Sequence, residues 1–323
     1  MRTRAVLFTI VAGATGVLGA VGASAGAGAA APPLQCGATV TRNVTLRADL
    51  LGCPGDGLVI GAPNVKVDLH GFTIGGSKTP GSAGIRNVGF AGLQVVGGGR
   101  FAAIQEFEVG VLVAHGARPS ISAIATRSVT YGVRLDDAKG ATVRGNDLGF
   151  FELGPALDTC STATAPAAIL LVDSGQALVR DNRAELSGFG ILLVRSHDAT
   201  VRSNGAAPLG SDGNECSGIV LVDSDRATLV GNTTTENRSG KVGGGDGIFV
   251  DAASQGAVLR DNVALTNTDD GIDVERAGTK LTGNRADNND DLGIEAVAGV
   301  RGSGNTATGN HNPLQQCVGI VCG

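Results

Sequence analysis

Between Gly57 and Gly293 one short phrase keeps returning: a small residue, a branched apolar residue, any residue, then another apolar one. Copies begin at Gly84, Gly110, Gly132, Ala168, Gly190, Gly218, Gly247, Gly271 and Gly293, with a looser one at Gly57. Successive copies lie 22 to 36 residues apart, so the unit is 22 residues plus insertions of varying length. Such a period specifies a solenoid, in which each unit buries its apolar face only against its neighbours. The segment after each phrase is short and alternating, as in Ala199-Thr200-Val201-Arg202 and Ala227-Thr228-Leu229-Val230. Period-two alternation means strand, and no stretch carries a convincing helical period.

Each unit then reaches an asparagine: Asn146, Asn182, Asn204, Asn232, Asn262, Asn284 and Asn305. Five residues later a second polar column appears, Ser187, Asn237, Asn267, Asn289 and Asn310. Stacked coils bring equivalent residues to the strand spacing of about 4.8 Å, so an asparagine at a turn can hydrogen-bond its copies above and below. The pattern resembles the right-handed parallel β-helix repeat family of the pectin-lyase-like superfamily over residues 36 to 323. The resemblance implies an all-β, right-handed single-stranded parallel β-helix of ten or eleven coils, with asparagine ladders and disulfide-capped ends.

Met1 to about Ala29 stands outside the repeat. Arg2 and Arg4 precede an apolar run from Ala5 to Val21, and Ala27-Gly28-Ala29 offers small residues for cleavage, the layout of a secretory signal peptide. The expected organisation is a signal peptide over 1–29 and one β-helix domain over 30–323, secreted to the extracellular space without a membrane anchor. Removing the leader leaves 23 basic and 30 acidic residues, a net charge near −7, which argues against nucleic acid or an anionic membrane as partner. Six cysteines in an exported chain suggest structural pairs. Cys36 and Cys53 bracket the first coil, Cys317 and Cys322 sit in the last residues, and Cys160 and Cys216 each lie in an insertion ahead of a strand.

Side chains alternate along a strand, so the second and fourth residues of the phrase face inward and the third and fifth face out. From Ala168 onward the third residues are Leu170, Leu192, Val220, Phe249, Asp273 and Glu295, and the fifth include Val172, Val194, Val222, Asp251 and Glu275. The Leu170, Leu192, Val220 and Phe249 face is more apolar than a soluble monomer leaves bare. Either the insertion Asp147–Ala167, with Phe150, Phe151 and Leu153, folds over it, or a protein partner or second copy docks there. The next coils are acidic, with Asp246, Asp269, Asp270, Asp290 and Asp291 just ahead of the strands. Carboxylates on adjacent coils repel, and a hard cation relieves that repulsion. Asp251, Asp270, Asp273, Glu275 and Glu295 are therefore candidate Ca²⁺ ligands, with a solvated acidic rim as the alternative. A third column, two residues before the first asparagine, holds Arg144, Arg180, Arg202 and Arg260, interrupted by Val230. Guanidinium groups along a ridge suit the carboxylates of a substrate, or simply solubilise the surface.

Asn267-Thr268-Asp269, then Asp290-Asp291 one coil on and His311 one coil later, are similar to the spaced blocks of polygalacturonases, whose carboxylates serve as general acid and as base for a water. That resemblance implies catalytic roles for Asp269, Asp290 and Asp291, although His311 lies in Gly-Asn-His-Asn rather than Gly-His-Gly. Polyuronate lyases of the superfamily use an Arg or Lys base beside a neutralised carboxylate, which points to Arg276, next to Glu275. The sequence also resembles the NosD-type periplasmic β-helix proteins linked to copper handling. Copper draws on His, Cys or Met, yet Met1 is the only methionine and His70, His115, His197 and His311 are scattered, so this resemblance carries the fold and not the metal. With no Trp and one Tyr, stacking on a neutral sugar is disfavoured. The expected function is binding, and in the stronger form cleavage, of an acidic polysaccharide. The rival is a non-catalytic extracellular scaffold that uses the apolar face.

Overall fold

Parallel stacking of equivalent strands leaves little room at the first position of the phrase, where every copy has Gly except the one that begins at Ala168. A Cβ added at Gly110 would lie 2.5 Å from the carbonyl oxygen of Gly132, and one at Gly247 2.5 Å from that of Gly271. The backbone of the next coil therefore selects glycine. The computed structural model in which this is seen describes residues 34–98, 102–149, 160–163, 166–206, 214–238, 244–312 and 316–323.

Among the described residues the strands form three parallel sheets of twelve, eleven and eleven strands. The chain visits the three sheets in turn, from Ala38–Val40, Val44–Thr45 and Leu50–Cys53 to Ile294–Ala296, Arg301–Ser303 and Thr306–Thr308. Cys317–Val318 then adds a last strand to the first sheet, after eleven three-stranded coils. This is the all-β solenoid that the repeat implies. Register holds from coil to coil, pairing Val133, Ile169, Ile191, Ile219, Ile248, Ile272 and Ile294 in one column. All seven are fully buried and fill the tube. One copy of the phrase departs from the rule: Asn87 takes the fourth position after Gly84 and is buried, its amide bonded to the backbone of Phe90.

Each corner pairs a residue in the left-handed region with an inward polar residue. Asp181 (φ 55°), Ser203 (φ 52°) and Gly231 (φ 60°) stand just before Asn182, Asn204 and Asn232. The N–H of each of these asparagines is donated to the side-chain oxygen of the next coil's copy, as in Asn182 N to Asn204 Oδ1 at 3.0 Å. The first ladder runs unbroken from Asn146 to Asn305. The second runs from Asn214 through Asn237, Asn267 and Asn289 to Asn310, where Gln316 accepts the last N–H. Ser187 does not join it, since its buried hydroxyl has no partner among the described residues. A third ladder is built of serine: the backbone N–H groups of Ser174, Ser196 and Ser224 donate to the hydroxyls of Ser196, Ser224 and Ser254.

The cysteines pair as Cys36–Cys53, Cys160–Cys216 and Cys317–Cys322. The first ties the strand Leu50–Cys53 to the residues ahead of Ala38–Val40, and the last closes the C-terminal coil. The leader 1–29 and the Phe150, Phe151 and Leu153 stretch of the long insertion lie outside the described residues.

On the outward side of the first sheet Leu170, Leu192 and Val220 are only 7%, 0% and 1% exposed. They belong to a second apolar cluster, separate from the tube, with Tyr131, Phe189 and Cys216. Docking of a partner or second copy on Leu170, Leu192 and Val220 is therefore corrected: the face is buried within the chain itself, and Phe249 at its margin is half-buried.

Candidate carboxylate site

Two outward columns of the first sheet change character together. One holds the residue just before the glycine of the phrase: Phe189, Ser217, Asp246, Asp270 and Leu292 in successive coils. The other holds the third residue: Leu192, Val220, Phe249, Asp273 and Glu295. Where the apolar residues end, carboxylates begin. The side-chain oxygens of Asp246, Asp270 and Asp273 come within 4.8 Å of one another, as do those of Asp269, Asp270 and Asp291. Asp270 is common to both groups, and Asp246 and Asp270 are 7% and 4% exposed.

Carboxylates packed this closely away from water hold protons tightly, because both desolvation and like charge oppose ionisation. Burial pushes Asp246 up to about 7, helped by the charge of Asp269 and opposed by the Ser217 hydroxyl 3.3 Å away. Burial likewise pushes Asp273 up to about 8, with the charges of Asp246 and Glu295 adding to it. Asp270 is raised by burial, offset in part by the Leu292 N–H that it accepts at 2.8 Å, and raised further by a hydrogen bond to Glu295. Asp269 is raised by burial and by the charge of Asp291. Oxygen-only ligands at this spacing are what a hard divalent cation takes.

The structure sorts the expected residues. Asp270, Asp273 and Glu295 converge, Asp246 joins them, and exposed Glu275 contributes charge from the rim. Asp251 does not converge: it holds a turn, accepting from Asp223 N at 3.1 Å, Ser254 N at 2.9 Å and Ser254 Oγ at 2.6 Å. Of the candidate catalytic groups, Asp269 and Asp291 lie in the cluster, while Asp290 faces His311 at 2.9 Å on the surface. Arg276 donates to the carbonyl of Ala252 at 2.9 Å. Arg144, Arg180 and Arg202 do stack in register, but on the second sheet, so they do not line the carboxylate site. Arg260 is cut off from them by Val230 and sits 3.4 Å from Asp261.

A family model described as periplasmic copper-binding protein (NosD) matches residues 151–312, half of the chain. The chain belongs to this NosD family. Among solved structures it is similar to the periplasmic alginate epimerase AlgG, with 16% identity, a TM-score of 0.52, and coverage of 81% of this chain and 61% of the epimerase. A double mutant of that epimerase gives 14% identity and a TM-score of 0.54 over 83% of this chain and 73% of the other. An alginate lyase from Paenibacillus sp. str. FPU-7 covers 84% of this chain and 97% of its own at 15% identity and a TM-score of 0.49. At these identities the likeness to the two epimerase structures shows the fold alone. No curated protein sequence matches the chain.

The copper of the family description does not fit the donors present. All six cysteines are in disulfides. His115 and His311 each face an aspartate, and His197 accepts the Asp225 N–H. Among the described residues, the groups able to hold a metal contain aspartate alone, a donor set for hard cations rather than copper. Titration with Cu(I) against a chromophoric chelator is expected to leave the metal with the chelator, and a tight one-to-one complex would show a copper site that these donors do not provide. The three disulfides fit an oxidising compartment, in keeping with the periplasmic description of the family.

Proposed function

We propose that this chain, secreted into an oxidising compartment, binds an acidic polysaccharide on the outward face of its first sheet between Gly218 and Glu295, and acts on it there. The observation that carries the reading is the meeting of Asp246, Asp270 and Asp273 within 4.8 Å where the apolar face ends. A Ca²⁺ ion in this group would replace shared protons and offer open coordination positions to a uronate carboxylate. The fold likeness to an alginate epimerase, an enzyme of a polyuronate, supports the same substrate class.

Neutralising a uronate carboxylate makes the neighbouring carbon acid easier to deprotonate. A side chain that gives or takes a proton near neutral pH then serves the step best. Hydrolysis by Asp269 and Asp291 is less well supported, since their oxygens lie within 4.8 Å, where an inverting pair needs roughly 6.5–9.5 Å to admit its water. Asn267, the other member of that block, is spent in the second ladder.

The test is incubation with a panel of polyuronates with and without Ca²⁺, reading binding by affinity electrophoresis and products by mass spectrometry and proton NMR. The expected result is a Ca²⁺-dependent gain in retardation that Asp273→Asn removes. Unsaturated products would assign elimination, and a changed sugar at unchanged mass would assign epimerisation. Equal mobility and an intact panel in both conditions would overturn the reading in favour of a non-catalytic scaffold.

A further inference from the structure

The second sheet carries a basic strip that the carboxylate site does not use. Arg144, Arg180 and Arg202 occupy one register position in three consecutive coils, on the strands Thr142–Arg144, Leu178–Arg180 and Thr200–Arg202. Neighbouring coils are about 4.8 Å apart, so three like charges are stacked directly over one another, an arrangement that costs stability. Elsewhere the solenoid avoids this by pairing across coils. Arg195 holds Asp173 at 2.8 Å, Arg226 holds Asp198 at 2.6 Å and Arg127 holds Asp147 at 3.1 Å. In the strip only Arg180 has an acidic neighbour, Asp181. Arg144 and Arg202 are exposed and have no carboxylate partner among the described residues.

The strip is bounded by Ser122 on one side and Val230 on the other. Thr142 and Thr200, two residues before Arg144 and Arg202 and on the same face, bring hydroxyls alongside the guanidinium groups. One cation per coil, repeated at about the length of one sugar ring and flanked by hydroxyls, is complementary to a linear polymer with one carboxylate per ring.

We infer that this strip is a second, cation-independent docking site for a linear polyuronate, on a different face from the carboxylate cluster. It shares with the proposed function only the substrate class. A rigid solenoid with two such faces would hold two polymer segments at once, one through Ca²⁺ and one through arginine.

The experiment is titration of the folded chain with a linear oligouronate in EDTA, which silences the carboxylate cluster and leaves the strip. Wild type is expected to bind, more weakly as salt rises. The triple variant R144Q/R180Q/R202Q should lose about tenfold or more in affinity, with unchanged circular dichroism and unchanged Ca²⁺-dependent retardation. The single variant Arg226→Gln, at a paired surface arginine, should bind as wild type does. No binding by wild type in EDTA, or equal binding by the triple variant, would overturn the inference while leaving the Ca²⁺-dependent site standing. Equal capture of single-stranded DNA would also overturn it, because the partner would then be any polyanion.

Discussion

In EDTA the thermal stability of this chain is expected to fall as pH rises from 4 to about 8, and Ca²⁺ should restore it. The sign follows from the carboxyl cluster. Asp246 and Asp273 hold their protons up to about 7 and about 8 when folded, against 3.8 for an ordinary aspartate. Below 3.8 both states are protonated and the folded state keeps this contribution in full. Above it the unfolded chain ionises while the folded one resists, so the contribution is lost until pH passes the folded values. The opposite case, Asp173 held low by Arg195, acts below the ordinary carboxylate range and does not enter this window. Two such groups correspond to a melting temperature lower by roughly 5 °C or more at pH 8 than at pH 4. Changing Asp246 and Asp273 together to asparagine keeps their shape and removes the charge. That variant should melt higher than wild type at pH 8 in EDTA, with a shallower pH profile and a weaker response to Ca²⁺, since Asp269 and Asp270 remain raised by burial beside Asp291. A wild-type profile already flat between pH 4 and 8 would mean that these carboxyls ionise freely.

The solenoid was legible because its cause is local and repeated: a glycine where the next coil's carbonyl passes, then inward branched residues. The same repetition exposed the first ladder, whose asparagines follow each corner at one fixed place. What was not legible depended on insertions. Asn214 begins the second ladder, yet it stands ten residues after Asn204 because the insertion 207–213 intervenes. The serine ladder did have a signal, the Val-x-Ser at Val172, Val194 and Val222, but serine is common at turns and its periodicity is less conspicuous than that of asparagine. At the site, alternation placed Asp273 and Glu295 outward, and it cannot show which turn aspartates fold back beside them. Asp246 does so because the residue before the glycine faces out, in the column that holds Phe189 further up the solenoid. Asp251 does not, because the Ser254 turn claims its oxygens. Charge counted along the chain cannot separate these two cases; hydrogen-bond demand in the turn does.

Asn232→Ala is expected to be among the most damaging single changes in the molecule. The Asn232 side chain is fully buried and makes four hydrogen bonds. Its oxygen accepts from Asn204 N at 3.1 Å and Asn204 Nδ2 at 3.0 Å, and its Nδ2 donates to Val201 O and Asn262 Oδ1, both at 2.9 Å. Alanine would strand the Asn204 donors and take the side-chain donor from the Val201 carbonyl of the coil before, where water cannot reach them, and leave Asn262 Oδ1 with only the backbone N–H of residue 232. Each buried unsatisfied group costs about 1–3 kcal/mol, so the loss should be about 3–5 kcal/mol and the melting temperature should drop by roughly 10 °C. Asn232→Asp separates the ladder from simple packing, because it keeps the shape and the acceptors but loses the donors. That variant should be nearly as damaged at pH 7 and should recover as pH falls, since a buried carboxyl facing the Asn262 oxygen holds its proton and then donates in place of Nδ2. Coils in a solenoid touch only their neighbours, so hydrogen exchange should quicken first in the coils of Asn204 and Asn262. A loss under 1 kcal/mol, or quickening spread evenly along the chain, would mean that the ladder adds little beyond the apolar filling of the tube.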